Sequence, residues 1–298
     1  MIIDAHVHIF LSRAKDPERS VDELAPPERE APLALLEQQM ATAGVDGAVL
    51  VPLGPEDTYV AGVIAGAPQR YRAIAVATPE LTKPGSPTAA SDPGRVAERL
   101  ETGGFSGLRF FELPGGLDDG PPWLPVLRRL AVDRRVLWMY PRAEDLPTLH
   151  DVARALPELQ IVLNHTGFTQ SGIAVDAAGR PHVNSPVPQP HEDQVLALAA
   201  FPNVAVKLSG AYGFSGQSYP YPDVAAVTRR VADRFGLDRL AWASDFPWIV
   251  DTPGYQACLD LIDHHLPALS TAERGAVLGG NIQRLLSWET THADHPAP

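Results

Sequence analysis

Cysteine is almost missing from this chain: Cys258 is the only one in 298 residues. That excludes a disulfide framework and any cysteine-rich zinc module. Also lacking is an unbroken apolar stretch of the roughly 18 residues a membrane span needs. Positive charge is short, with 24 Lys and Arg against 36 Asp and Glu and a formal net charge of −12. An acidic surface repels nucleic-acid phosphate and anionic lipid, so neither is an expected partner. The start, Met1-Ile2-Ile3-Asp4-Ala5-His6, has neither the basic opening nor the apolar core of a secretory leader. The cytoplasm is the expected compartment. No Gly/Ser-rich linker divides the chain, and no internal repeat is visible.

What is there is ordinary for a folded protein: 45% apolar and 20% charged residues. Eight short β-rich runs recur, at Ile2–His8, Ala48–Leu53, Arg72–Ala77, Gly104–Phe111, Arg135–Tyr140, Gln160–His165, Val204–Ser209 and Leu240–Asp245. Runs such as Val49-Leu50-Val51 are apolar at successive positions, as strands covered on both faces are. Helical spacing separates them. Leu33, Leu36, Met40 and Ala43 precede Gly44, and Val224, Val227, Val231 and Phe235 precede Gly236. Trp123, Val126 and Leu130 start another helix, and Glu144–Leu156 and Glu192–Phe201 supply two more.

Strand and helix alternating about every 30 residues suits an α/β fold, a TIM (β/α)8 barrel. A length prior of about 150 residues per domain allows two domains. The even spacing favours one, over residues 1–298. A doubly wound sheet is the alternative, but it usually wants a Gly-rich phosphate loop where His6-Val7-His8 stands. Three long segments follow strands: Ile9–Pro32, Glu112–Pro122 and Thr166–Pro190. They should border the mouth of the barrel, with Thr166–Pro190 as a lid. The tail after about Glu289 should fray.

His6 and His8 lie two apart on a strand and share a face, with Asp4 in the same phase one step deeper. Two imidazoles there can ligate one metal or polarise one substrate oxygen; a buried hydrogen-bonded pair is the plain alternative. Other strand ends are polar too: Arg109, Tyr140, Asn164-His165, Lys207 with Ser209, and Ser244-Asp245. Polar groups at several strand ends of a barrel should meet in one pocket. Arg109 and Lys207 suit a substrate carboxylate, Lys207 equally well an internal ion pair. Tyr140 can bond substrate or Asp245, and Trp248 can line the pocket. Arg142, His182 and His191 are weaker candidates. His150 reads as an exposed helix residue, His264-His265 as a pair at a helix end where a cation suits the dipole, His292 and His295 as tail residues, and Cys258 as a core residue.

The chain resembles the amidohydrolase superfamily, in its lactonase-like branch. The matching pieces are Ile3-Asp4-Ala5-His6-Val7-His8, Gly44–Val51, Gly107-Leu108-Arg109, Asn164-His165-Thr166-Gly167, Asn203–Gly210, Ala243-Ser244-Asp245-Phe246-Pro247 and Gly280–Leu285. They span the chain from Met1 to about Trp288. The resemblance implies a distorted barrel with a hydrolase site at its mouth. His6 and His8 match the first-strand pair, His165 the sixth-strand histidine and Asp245 the eighth-strand aspartate, the proton shuttle. Two-metal members carry a lysine or glutamate on strand four and a histidine on strand five. Arg109 and Met139-Tyr140 stand there instead. The cofactor expectation is therefore either none or one divalent ion of the Zn²⁺ type on His6, His8 and Asp245. The implied reaction opens a lactone or related ester, with the histidines polarising the carbonyl. A metal-dependent decarboxylase and a silent ligand-binding barrel are the alternatives. The expected partner is a small molecule, carboxylate-bearing if the cations grip it; a homo-oligomer stays open. The dicarboxylated pyrones of some relatives call for several arginines, and Ala211-Tyr212-Gly213-Phe214 adds none.

Overall fold

The computed structural model describes residues 1–83 and 92–288. Its ten strands are β1 (Ile3–Val7), β2 (Gly47–Leu50), β3 (Tyr71–Val76), β4 (Gly107–Phe110), β5 (Val136–Met139), β6 (Ile161–Leu163), β7 (Ile173–Val175), β8 (Pro181–Val183), β9 (Val204–Leu208) and β10 (Leu240–Trp242). Eight of them form one sheet, ordered β1-β2-β3-β4-β5-β6-β9-β10, with every pairing parallel. Just past β10 the ring closes. Asp245 N donates to His6 O at 3.1 Å and His8 N to Phe246 O at 2.7 Å. This is the α/β barrel that the even spacing implies, and each of the eight apolar runs overlaps one of its strands, β2 and β3 beginning one residue ahead of theirs at Gly47 and Tyr71.

The helices obey their spacing. Leu33–Ala43 buries Leu36 and Met40 and stops at Gly44, whose φ of 68° is left-handed backbone that glycine adopts at little cost. Pro222–Phe235 buries Val224, Val227, Val231 and Phe235. Inside the barrel a second apolar cluster fills the end away from the mouth. Ile3, Ala5, Val49, Val136 and Ala241 meet Ile282, Leu285 and Trp288 there. The expected fraying after Glu289 lies outside the described residues, as do His292 and His295. Among the described residues no helix is long and apolar enough to cross a membrane.

Two features depart from the sequence reading. First, β1 carries a bulge: Asp4 pairs with Ala48 but Val7 with Leu50, three steps against two. An inserted residue reverses the strand's phase. Ile3 and Ala5 point into the barrel floor, and so does His6 above them. Asp4 does not share the phase of His6. It faces the outer helix layer, where its carboxylate accepts from Tyr255 Oη at 2.7 Å and Ser244 N at 2.9 Å. Second, the Thr166–Pro190 segment is not irregular throughout. β7 and β8 pair antiparallel within it, Ile173 against Val183 and Val175 against Pro181. Asp176 Oδ1 ties the turn by accepting from Ala178 N and Arg180 N, both at 2.9 Å.

Candidate active site

A cavity of about 400 Å³ opens at the C-terminal ends of the strands. At its inner end stand His8, Arg109, Tyr140, His165, Tyr212 and Asp245. Each is delivered by a different element. His8 follows β1, Arg109 lies on β4, Tyr140 follows β5, His165 follows β6, Tyr212 follows β9 and Asp245 follows β10. His165, Thr166 and Asp245 have φ of 48°, 55° and 68°. Asp and His tolerate this left-handed region better than most residues, and such strain gathers where a side chain must be aimed. Gly210 leaves room for His165, since a Cβ there would sit 3.0 Å from His165 Nδ1.

Asp245 is the centre of the cluster. Its Oδ2 accepts from Tyr212 Oη at 2.7 Å. Its Oδ1 lies 3.8 Å from His6 Nε2 and 3.9 Å from His8 Nε2, and its Oδ2 lies 4.0 Å from His165 Nδ1. Burial pushes its carboxyl up to about 7, against the lowering pull of the Tyr212 hydroxyl and the Arg109 guanidinium. Burial holds His8 neutral, down to about 3, and takes His6 and His165 well below the usual imidazole range, helped for both by Lys207.

Partners fix the proton positions on the first-strand pair. Trp138 Nε1, a donor only, points at His6 Nδ1 from 3.1 Å. In a neutral ring His6 Nε2 then carries the hydrogen and gives it to His8 Nε2 at 3.1 Å. His8 Nδ1 in turn donates to Val51 O at 2.7 Å. Lys207 Nζ sits 2.5 Å from His6 Nδ1 and 3.9 Å over the Trp138 ring. Burial, then the nearby Arg109 charge, push Lys207 well down toward the neutral amine. A neutral amine can also accept, so a second tautomer of His6, with a bare Nε2, keeps the Lys207 contact and gives up the hydrogen bond from Trp138.

The donor set fits an ion. Ligand atoms of His6, His8 and Asp245 converge within 4.8 Å of one another. With separations of 3.1, 3.8 and 3.9 Å, a point equidistant from the three lies about 2.1 Å from each, within the zinc range. The second tautomer of His6 is the one such an ion requires.

The sequence candidates divide into two groups. Arg109, Tyr140, His165, Trp248, His8 and Asp245 line the cavity, and His6 touches the cluster from below. Arg109 is buried, its Nε has no acceptor among the described residues, and the Phe111 ring lies 4.5 Å from its Cζ. Burial lowers it to about 10. Of the two roles open to Lys207, its position is the internal one: it lies fully buried beneath His6 and does not line the cavity, because β9 turns it into the barrel one layer below Ser209, and its partner there is the His6 ring rather than an acidic group. Arg142 is engaged by Glu112, Glu144 and Asp145, and His182 and His191 do not line the cavity. Of the three long segments, Ile9–Pro32 and Thr166–Pro190 contribute walls. Glu112–Pro122 does not, and the stretch after β9 takes its place. Sequence reading missed Tyr212 and Trp138. A tyrosine three residues past a strand ending in Ser209 was the available signal for the first, and the i, i+2 phase with Tyr140 for the second.

A family model described as amidohydrolase matches residues 3–288. The chain belongs to the amidohydrolase family. L-fucono-1,5-lactonase of Burkholderia ambifaria is 31% identical to this amidohydrolase over 265 residues, 82% of this chain and 80% of that one. 4-Sulfomuconolactone hydrolase of Hydrogenophaga intermedia is 26% identical over 251 residues, 82% of this chain and 74% of that one. A zinc-bound amidohydrolase structure from Burkholderia multivorans shares the fold, with a TM-score of 0.71 and 21% identity over 96% of this chain and 99% of that one.

Proposed function

We propose that this amidohydrolase opens a lactone, or a closely related ester, with water activated by Asp245. The observation that carries the reading is one buried carboxylate, raised to about 7, at the inner end of a cavity that also holds a guanidinium and a tyrosine hydroxyl. A base poised near working pH accepts and returns a proton within one cycle. The names of the two sequence relatives support the substrate class.

The substrate carbonyl faces Asp245 across the inner cavity. Water gives its proton to Asp245 Oδ1 as its oxygen bonds to the carbonyl carbon. Arg109, Tyr140 and His165 surround the oxygen that gains charge. The acyl–oxygen bond of the ring then breaks, and Asp245 returns the proton to the departing oxygen. The product is a hydroxy acid, whose new carboxylate meets Arg109. Tyr212 occupies Oδ2 and so leaves Oδ1 as the proton-accepting atom. His8 takes the His6 hydrogen and cannot also donate to substrate in that tautomer. The donor role expected of His6 and His8 therefore passes in this reading to Arg109, Tyr140 and His165. His6, His8 and Asp245 would hold a divalent ion of the zinc type, which when bound would supply Lewis acidity and a more acidic water; Oδ1 would then serve as a ligand, so the base role described here belongs to the ion-free site. The decarboxylase alternative calls for a fifth-strand histidine, and β5 ends in Met139-Tyr140.

Hydrolysis of a lactone panel in ¹⁸O water, with chelated and zinc-loaded enzyme in parallel, tests the reading. The expected result is acid release, with one ¹⁸O in the new carboxylate. Carbon dioxide release from hydroxybenzoates, with no lactone consumed, would overturn it.

A further inference from the structure

The outer part of the cavity differs from its inner end. The hairpin contributes Ile173, Val175, Pro181 and Val183, and Phe111 and Phe214 complete an apolar wall. Ile173 is 47% and Phe111 39% exposed, two of the few large apolar side chains left open to solvent among the described residues. Exposed apolar side chains gathered at the mouth of one cavity mark a surface that a ligand covers.

The polar donors on this part of the wall are few, and Gln170 Nε2 is already committed. Gln170 Nε2 donates to Phe111 O at 2.7 Å and to Tyr140 O at 2.5 Å, and Asp22 Oδ1 accepts from Ala25 N at 2.7 Å. Arg109 is the one arginine or lysine among the described residues lining the cavity, while Asp22 and Glu23 place two carboxylates at its rim. Arg29 is nearby but lies 4.7 Å over the Trp248 ring, with its Nη1 held by Leu24 O and Gly179 O. A polyhydroxylated ring would leave the hydroxyls that face Ile173, Val175, Pro181, Val183, Phe111 and Phe214 without partners, the Asp22 and Glu23 carboxylates serving only those at the rim, and a second carboxylate would find no lining cation beyond Arg109.

We propose that the substrate is an uncharged lactone bearing an alkyl or aryl substituent, seated between the β7–β8 hairpin and Phe111 while the ring carbonyl meets Arg109 and Tyr140. The reactive group rests on the lactonase reading above; the substituent preference is a property of the cavity alone.

Unreactive lactams separate the two. Binding is measured by calorimetry for δ-valerolactam, its 6-methyl, 6-propyl and 6-pentyl derivatives, a polyhydroxylated δ-lactam and a 6-carboxylated one. Turnover is measured for the matching lactones. Each added methylene is expected to tighten binding about threefold, somewhat under full transfer from water to an apolar site. The polyhydroxylated and carboxylated lactams should bind at least about tenfold more weakly than unsubstituted δ-valerolactam, the loss expected for uncompensated polar groups. Ile173→Asp should flatten the gradient along the alkyl series. A flat alkyl series, tighter binding of the polyhydroxylated or carboxylated lactam, or a gradient untouched by Ile173→Asp together with Val183→Asp would each overturn the proposal. A clear lactam gradient with no lactone turned over would uphold the substituent site and sink the lactonase reading instead.

Discussion

The two ends of this barrel are built from the same strands and obey opposite rules. At the floor, Ile3, Ala5, Val49 and Val136 pack against Ile282, Leu285 and Trp288, and the Arg72 guanidinium beside them lies over the Trp288 ring. At the mouth and in the layer just beneath it, Asp245, Lys207, Arg109 and three histidines are all buried, and burial is the largest influence pushing each toward its neutral form. β1 passes from one regime to the other within five residues, and its bulge marks the change. Positive φ values at His165, Thr166 and Asp245 also fall on the mouth side. The difference teaches where free energy is stored: the floor supplies stability that the mouth spends on desolvated, strained polar groups.

The sharpest way to break the comparison is to make the mouth resemble the floor. Asp245→Asn removes the base and should lower kcat/KM by about 10³-fold. The same change should make the protein more stable. A carboxyl raised above its ordinary value holds its proton in the folded chain between pH 4 and 7, where the unfolded chain has released it. Its contribution to stability is therefore lost as pH rises through that window. Thermal unfolding of both proteins should show a gain for Asp245→Asn at pH 8 that vanishes near pH 3.5. Loss of stability at both pH values would contradict the contrast drawn here.

The converse change acts on the floor. Trp288 is 4% exposed, and the Arg72 Cζ lies 5.0 Å over its ring. Trp288→Ala should cost about 3 kcal/mol, the low end for truncating a buried aromatic. It should leave kcat/KM at 15 °C within about twofold, since surface lost at the floor does not touch the transition state. Urea unfolding and initial rates check the pair. A large rate loss in a folded Trp288→Ala protein would mean that the two ends are coupled.

How legible each end was in the sequence follows the same division. The floor and the strands announced themselves because burial on both faces leaves continuous apolar runs, and these placed all eight barrel strands. At the mouth, His165 and Asp245 stood out as polar residues closing apolar strands. Their neighbours were harder. The phase of Asp4 depends on one inserted residue, which alternation in a single strand does not reveal. Lys207 looks like any cation on a strand, and its depth is decided by register. The hairpin was hidden by short strands, of which β8 opens on Pro181. Tyr212 follows β9 in a four-residue helix, Ala211–Phe214, too short to show periodicity.

A milder probe leaves every side chain in place. If Asp245 must be ionised to act, and burial holds it at about 7, kcat/KM should fall about tenfold for each pH unit below 7 and level off above it. His8, at about 3, and Arg109, at about 10, keep one charge state throughout this range. A pH–rate profile on one lactone checks this. A flat profile between pH 5.5 and 7.5 would remove Asp245 as the titrating base.

The smallest effect is expected at Tyr212, and it separates electrostatics from mere support. Its hydroxyl donates to Asp245 Oδ2 at 2.7 Å and favours the ionised carboxylate. Tyr212→Phe removes that donor while keeping the ring against the cavity wall. The carboxyl should then titrate higher, so the midpoint of the pH–rate profile moves upward. At pH 6.5 the loss in kcat/KM should be about three- to tenfold, in line with the net worth of one ordinary hydrogen bond, about 0.5–1.5 kcal/mol. At pH 9 the loss should shrink toward unity, because the base is ionised in both proteins. A purely structural role predicts something else: an equal loss at every pH with the midpoint unmoved. That outcome would assign Tyr212 to the wall of the cavity and leave the poise of Asp245 to burial and Arg109 alone.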